Sequence, residues 1–490
     1  MGDYSIPDGP RGNALRMTMR FMRKRGPLVR DAHARYGDTF SVEILPGPRR
    51  FVIFSDPADV KQIFSADPSQ FHAGEGNAIL KPVMGSHSLL LTDDGEHQRG
   101  RKLLMPAFTG PAMRGYRPLV EGIAKQTVDT WHPGQRLVTL DAMNALTLEV
   151  ILQVVFGVTD EERLAVLRPK VTRIVDIDAR ILLSWIFPRL RKVPPWRSFF
   201  TNLREVDELL YAEIRDRRAL PDLDGRDDVL SRLLRVGDET PGGGAGPRAA
   251  DDTGGGAGPR AADDTGGGAG PRAADDAGGG AGPRATDDTG GGAGPRAADE
   301  HSLSDAELRD QLVTLLLAGH ETTASALSWT LHELGKSPEL LARATRAADT
   351  GDEEFLEACL KESMRLHPII DFVARTLQSD QVVGGHLLPR GTTVAPSIML
   401  SHSREESFAG SHEFRPDRFL DGEVTPGTWI PFGGGVRRCI GAAFSLMEGT
   451  VVLREVLQRF EVHTEKPTGP RLRNITNVPD DKAPVVLRGR

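Results

Sequence analysis

Only two cysteines, Cys359 and Cys439, occur among 490 residues. A disulfide framework is therefore excluded as the basis of the architecture, and a reducing compartment is expected. Long apolar runs are also missing, since no uninterrupted stretch reaches the roughly 18 residues of a membrane-spanning helix. The first residues, Met1-Gly2-Asp3-Tyr4-Ser5, lack the apolar core of a signal peptide. Neither sign of charge dominates: 61 Lys and Arg stand against 68 Asp and Glu, a net charge of −7, which gives no electrostatic footprint for nucleic acid. What is present is a chain that is 39% hydrophobic, enough for a sizeable core.

The most informative stretch lies near the C-terminus, Phe432-Gly433-Gly434-Gly435-Val436-Arg437-Arg438-Cys439-Ile440-Gly441. Three consecutive glycines let the backbone turn tightly and approach a flat partner. Ala442, Leu446, Leu453 and Leu457 then recur at helical spacing. That puts Cys439 at a helix N-terminus, where the dipole and free N–H groups favour a thiolate. For a lone cysteine, buried packing is the ordinary expectation. The complete pattern Phe-x-x-Gly-x-Arg-x-Cys-x-Gly weighs against it, and it resembles the haem-binding loop of the cytochrome P450 family.

The resemblance implies a mainly α fold, a large helical domain with a small β-rich part, with haem b held between a long distal helix and the proximal cysteine loop. It implies that Cys439 is the axial ligand of the haem iron and pushes electron density onto it. Arg437 would pair with a haem propionate, and Phe432 and Gly441 would be further cofactor-binding positions of the loop.

Ser304-Asp305-Ala306-Glu307 is a capping box, so a helix is expected from Ala306 to about Leu334. Within it lies Ala318-Gly319-His320-Glu321-Thr322-Thr323. The small Ala318 and Gly319 allow a flat ring and a diatomic ligand to approach the backbone. Glu321 and Thr322 set an acid beside a hydroxyl. Alone, such a run is a helix-packing patch; it also resembles the family's oxygen-binding groove, Ala-Gly-x-(Asp/Glu)-Thr. The resemblance implies that Thr322 stabilises dioxygen as it is reduced and that Glu321 relays protons from solvent. His320 is assigned to packing or pocket lining.

His97 and Arg101 are four apart and share a helix face. The match to the family's His-x-x-x-Arg implies that both reach haem propionates, as does the position of Arg375. Glu362 and Arg365, joined by Arg418, match a buried structural network. Cys359 reads as a small buried hydrophobe. Ile369 to Ala374 is implied to pass beside the haem, which makes Ile369, Phe372 and Val373, together with Leu315, the substrate-pocket candidates. The apolar run Ile181 to Pro188 suits a core or a mobile lid equally. Gly384 to Val394 alternates like two strands around Pro389-Arg390-Gly391, and residues 462–488 resemble a C-terminal hairpin with its tip near Asn474 to Val478. Arg16 to Arg25 interleaves apolar and cationic residues, which suits a solvated edge or a membrane surface.

From Gly242 to Asp299 a unit Gly-Gly-Gly-Ala-Gly-Pro-Arg-Ala-Ala-Asp-Asp-Thr recurs with small changes. It has no large apolar side chain and cannot offset the entropy of ordering. The expected organisation is an N-terminal part of the family domain over 1–237, a disordered low-complexity insertion over 238–300, and a C-terminal part with the haem-binding core over 301–490.

The functional expectation is a monooxygenase that activates O2 with two electrons from a redox partner. It hydroxylates or epoxidises an apolar small molecule, such as a terpenoid, polyketide, steroid or fatty acid. No flavin or iron–sulfur segment is appended, so electrons from NAD(P)H arrive through separate proteins. In the soluble bacterial type that this chain resembles, these are a ferredoxin and its reductase, with Arg438, Lys102 and Arg99 as a basic docking patch. A monomer in the cytoplasm, without a transmembrane anchor, is expected. The alternatives are a peroxygenase or isomerase, against which the Glu321-Thr322 pair argues, and a haem sensor, for which no partner domain is present.

Overall fold

The centre of the molecule is a 32-residue helix, Asp305–Lys336, buried along most of its length. The computed structural model describes residues 4–45, 49–158, 160–175, 188–194, 196–221, 223, 225–235, 302–473 and 475–490. The helix begins at its capping box: the Glu307 N–H donates to Ser304 Oγ (3.3 Å) and the Ser304 N–H to Glu307 Oε2 (2.8 Å). Arg99 secures the same corner by donating to Glu307 Oε1 (2.5 Å) and the Ser302 carbonyl (2.6 Å). Replacing Ser304 by alanine should cost about 1 kcal/mol of stability, seen as a lower denaturant midpoint. An unchanged midpoint would mean that Arg99 alone holds this end.

A helix buried on nearly all sides must satisfy its hydroxyls internally. Ser325, Ser328 and Thr330 do so by donating to the carbonyls of Glu321 (2.7 Å), Ala324 (2.7 Å) and Ala326 (2.8 Å). Leu308, Leu312, Leu316, Leu327, Leu331 and Leu334 supply the apolar packing. Around the long helix lie Thr139–Val154, Trp196–Arg218, Glu353–Leu366 and Ala442–Leu457. A Cβ at Gly319 would sit 2.8 Å from Ile151 Cδ1, so glycine there lets the Thr139–Val154 helix close in. That packing is a second reason for a small residue at 319, beside the approach of a flat ring.

The β structure sits to the side. Thr39–Ile44 pairs antiparallel with Arg49–Phe54, which pairs parallel with Thr393–Pro396. That strand pairs antiparallel with Arg375–Leu377, which in turn pairs with Phe71–His72. Phe40 and Val42 alternate into the core, the period-two pattern that fixes strand register. A second sheet orders Arg136–Val138, Pro484–Gly489 and Phe460–Thr464.

Strands do flank Pro389-Arg390-Gly391. Thr393–Pro396 belongs to the five-stranded sheet, and His386–Leu388 pairs with Gln381–Val383 in a separate hairpin. That hairpin turns at Gly384-Gly385, whose φ of 55° and 78° suit a two-residue turn. Residues 462–488 likewise divide. Pro470–Arg473 and Thr476–Pro479 make their own hairpin, and the flanking strands join the second sheet. Asn474 at the hairpin tip, the apolar run 181–187 and the repeat 242–299 lie outside the described residues.

Glu362, Arg365 and Arg418 form a buried network, each no more than 1% exposed. Glu362 accepts from Arg365 Nε (2.7 Å) and Nη2 (2.8 Å), from Arg418 Nε (3.0 Å) and from the Arg415 N–H (2.9 Å). Arg365 also donates to the carbonyls of His402 (3.0 Å), Ser411 (2.6 Å) and Glu413 (2.9 Å). The Glu353–Leu366 helix is thus tied to the irregular chain that leads into the cysteine loop. Cys359 on the same helix is fully buried, and burial pushes its thiol up.

Candidate active site

The loop before Cys439 is shaped by what it rests on. Gly433 and Gly435 have φ of 67° and 64°, which side chains rarely adopt. A Cβ at Gly434 would meet Phe64 Cδ2 at 2.4 Å, and one at Gly435 would meet the Phe64 carbonyl oxygen at 2.0 Å. The glycines therefore seat the loop on the Pro57–Ser65 helix, so the close flat partner is first of all Phe64. The Cys439 N–H donates to the Phe432 carbonyl at 2.9 Å and closes the loop. The Phe432 ring stands edge-on to Trp429, 5.8 Å between centroids.

Cys439 is accessible, yet protein atoms crowd its sulfur enough that burial raises its pKa. The Gly441 N–H, Arg101 and Arg438 pull the other way without overcoming that penalty. The helix starts only at Ala442, behind a cap at Gly441, so Cys439 lies ahead of the terminus expected to activate it. The Gly441 N–H acts in the direction the sequence suggests, and in the loop alone burial outweighs it. A metal ion on sulfur would overcome the penalty, because a coordinating thiol is deprotonated.

Four basic groups converge beside this loop. His97 and Arg101 come from the helix Asp94–Leu104, Arg375 from the five-stranded sheet, and Arg437 from the loop itself. His97 falls to about 4 through burial and then the fields of Arg437, Arg101 and Arg375. Arg375 falls to about 10 through burial and then Arg437. Arg101 and Arg437 are lowered as well, burial first. Arg437 pairs with Asp93 and donates to the carbonyls of Leu89 (3.2 Å) and Thr92 (2.6 Å). Among the described residues no carboxylate pairs with Arg101 or Arg375. Cations crowded against their mutual repulsion fit an anionic group, such as the carboxylates of a cofactor.

Asp93 escaped the sequence reading. Its carboxylate accepts from the N–H groups of Ala73 (2.9 Å), Gly74 (3.0 Å) and Glu75 (3.3 Å) as well as from Arg437. An Asp directly before a helix normally caps it, but this one makes no cap bond and turns to the 73–75 loop.

On the long helix, accessibility returns at Leu315, Ala318 and Thr322, three and four residues apart on one face. Thr322 Oγ1 donates to the Ala318 carbonyl at 2.7 Å, which leaves its oxygen as an acceptor. Thr323 points elsewhere and meets Ser445 Oγ at 3.1 Å, linking this helix to the one after Cys439. Glu321 is 5% exposed, with Arg473 Nε 3.5 Å from Oε1. Arg473, on the Pro470–Arg473 strand, was also missed, because nothing local signals a pairing with a residue so distant in sequence. His320 is buried against the Leu316 carbonyl at 2.9 Å, and burial lowers its pKa, as a packing residue requires.

The other candidates separate. Leu315 lies on the accessible stripe. Ile369 is 9% exposed and its carbonyl accepts from the Asn477 N–H at 2.7 Å. Val373 packs with Val60, Ile398 and Ile430, close to Gly433. Phe372 is a correction: its ring joins Phe21 (5.8 Å) and Phe51 (6.1 Å), with the Arg25 guanidinium 5.1 Å from its centroid. It belongs to the N-terminal core because its neighbour Val373 takes the opposite side of the chain. Arg99 is engaged at the capping box and so is no open docking cation, whereas Lys102 and Arg438 are exposed.

Comparison with known proteins accounts for this arrangement. The sequence profile of the family described as Cytochrome P450 matches residues 7–243 and 294–483. The chain is 43% identical over 477 residues to the "Putative cytochrome P450 135A1" of Mycobacterium tuberculosis, covering 97% of this chain and 93% of that one. It is 34% identical over 491 residues to the "Putative cytochrome P450 135B1" of Mycobacterium bovis, covering 99% and 91%. Among solved structures, retinoic acid-bound cyanobacterial CYP120A1 superposes with a TM-score of 0.77 at 20% identity over the whole of both chains. The cytochrome P450DA heme domain gives 0.75 at 22% identity, covering 99% of this chain and 98% of that one. Those two likenesses bear on the mainly helical fold, and the profile and the mycobacterial relatives settle the rest: this chain belongs to the cytochrome P450 family of haem-thiolate monooxygenases.

Proposed function

We propose that this monooxygenase holds haem b through Cys439 and the cations His97, Arg101, Arg375 and Arg437, and oxidises an apolar small molecule on the side of Leu315, Ala318 and Thr322. The observation that carries the reading is the group of mutually depressing cations beside the accessible Cys439. The bound haem supplies redox chemistry toward O2, with electrons delivered by a partner. Cys439 contributes the sulfur, and the Gly441 N–H and Arg101 favour its charged form. Asp93 holds Arg437 in place while Arg101 and Arg375 remain available to carboxylates.

Thr322 and Glu321 manage protons. With its own hydrogen committed to the Ala318 carbonyl, the Thr322 oxygen accepts a hydrogen bond from water or from a protonated ligand. Glu321, buried with Arg473 Nε 3.5 Å from its carboxylate, relays protons toward Thr322 from the side of that guanidinium. Leu315 and Ile369 make the adjoining surface apolar, which favours a hydrophobic substrate for hydroxylation or epoxidation. Electrons come from NAD(P)H through a ferredoxin and its reductase, with Lys102 and Arg438 in the docking face of a monomer. The family match breaks off at 243 and resumes at 294, which supports reading 238–300 as an insertion between two parts of one domain.

Replacing Thr322 by alanine tests the proton assignment. Product formed per NADPH consumed should fall several-fold, with hydrogen peroxide appearing in its place. Unaltered yield would remove Thr322 from the mechanism. Full activity with peroxide alone, and none with reductant and O2, would favour a peroxygenase.

A further inference from the structure

The first helix, Ala14–Arg23, is only half used by the fold. Phe21 is 3% exposed and packs with Phe51 and Phe372, and Met17 lies against the same cluster. Next to that buried side runs a second apolar stripe, Leu15, Met19 and Met22, spaced four and three residues apart and therefore on one face. These three are 60%, 47% and 38% exposed. Leu45 extends the patch: it is 41% exposed on the neighbouring hairpin, and its N–H donates to Thr18 Oγ1 at 2.8 Å. Arg16, Arg20 and Arg23 repeat at the same intervals one step further round, followed by Lys24. The helix has no acidic residue. Arg20 pairs with Asp31 at 2.6 Å, while no carboxylate among the described residues pairs with Arg16, Arg23 or Lys24.

We propose that this helix is a peripheral docking surface for an anionic lipid bilayer, with Leu15, Met19 and Met22 entering the headgroup boundary and Arg16, Arg23 and Lys24 meeting lipid phosphates. A short helix with one apolar face, a cationic face beside it and modest overall hydrophobicity lies in an interface plane and does not span it. No described helix is long and apolar enough to span. Charge complementarity selects the occupant: free cations flanking flexible apolar side chains suit a negatively charged leaflet, whose surface attracts basic segments. The inference does not depend on the oxidation chemistry.

Flotation of the haem-loaded full chain with phosphatidylglycerol-containing vesicles, against pure phosphatidylcholine, tests it. Binding to the anionic vesicles only, weakened by raised salt, is expected. The triple variant Arg16→Glu, Arg23→Glu, Lys24→Glu should weaken it about ten-fold or more. The double variant Leu15→Glu, Met19→Glu should weaken it comparably, with an unchanged haem spectrum reporting the intact fold. No binding to anionic vesicles at low salt, or binding that neither variant alters, overturns the proposal. So does concentration-dependent self-association of the parent protein that the double variant abolishes, since a second copy would then cover the stripe.

Discussion

Replacing Cys439 by serine is expected to abolish the thiolate Soret band of the reduced, carbon monoxide-bound protein and with it monooxygenation. Serine occupies nearly the same space. The bond that closes the loop, from the residue 439 N–H to the Phe432 carbonyl, is made by backbone and survives. So do the seat of Gly434 and Gly435 on Phe64 and the Arg437–Asp93 pair. The thermal midpoint should therefore move little while the spectrum changes completely, because a hydroxyl is a far poorer anionic ligand than a thiol. Band and activity that persist in the serine variant would require another axial ligand, and the loop would lose its assigned part.

The second large effect is on stability. Glu362→Ala removes the only carboxylate among the described residues that binds Arg365 and Arg418, both about 1% exposed, and strips the Arg415 N–H of its acceptor. Breaking a buried ion network by deleting one partner costs about 3–5 kcal/mol, since it leaves uncompensated charge. Folded proteins have only about 5–15 kcal/mol in hand, so a large drop in the denaturant midpoint is expected. Glu362→Gln keeps one acceptor oxygen and should fall between. A loss below about 1 kcal/mol for the alanine variant would show that the carbonyls of His402, Ser411 and Glu413 suffice to hold Arg365.

What could be read from sequence was what is local. The capping box at Ser304 and Glu307 and the helical spacing of Ala442, Leu446, Leu453 and Leu457 each depend on nearby residues. Pairings between distant segments were not legible: Arg473 beside Glu321, or Asp93 reaching Arg437 and the 73–75 loop. Phe372 was misplaced because an apolar run does not say which alternate side chain faces which neighbour. Strands on either side of Pro389-Arg390-Gly391 were legible, but not that Thr393–Pro396 pairs with Arg49–Phe54, hundreds of residues away in sequence, because such a partner leaves no local mark. At Cys439 the helix start at Ala442 was legible, but the burial that opposes a thiolate in the loop was not, because packing around a sulfur leaves no local mark in sequence.

The contact of Gly434 and Gly435 with Phe64 also bears on biosynthesis. The ribosome makes Phe64 long before the cysteine loop, yet the loop has no seat until both are present. Cofactor loading is therefore a late event in the life of the chain. Fragments lacking either Phe64 or the cysteine loop should stay colourless, and everything between the two must be made before the metal can be captured.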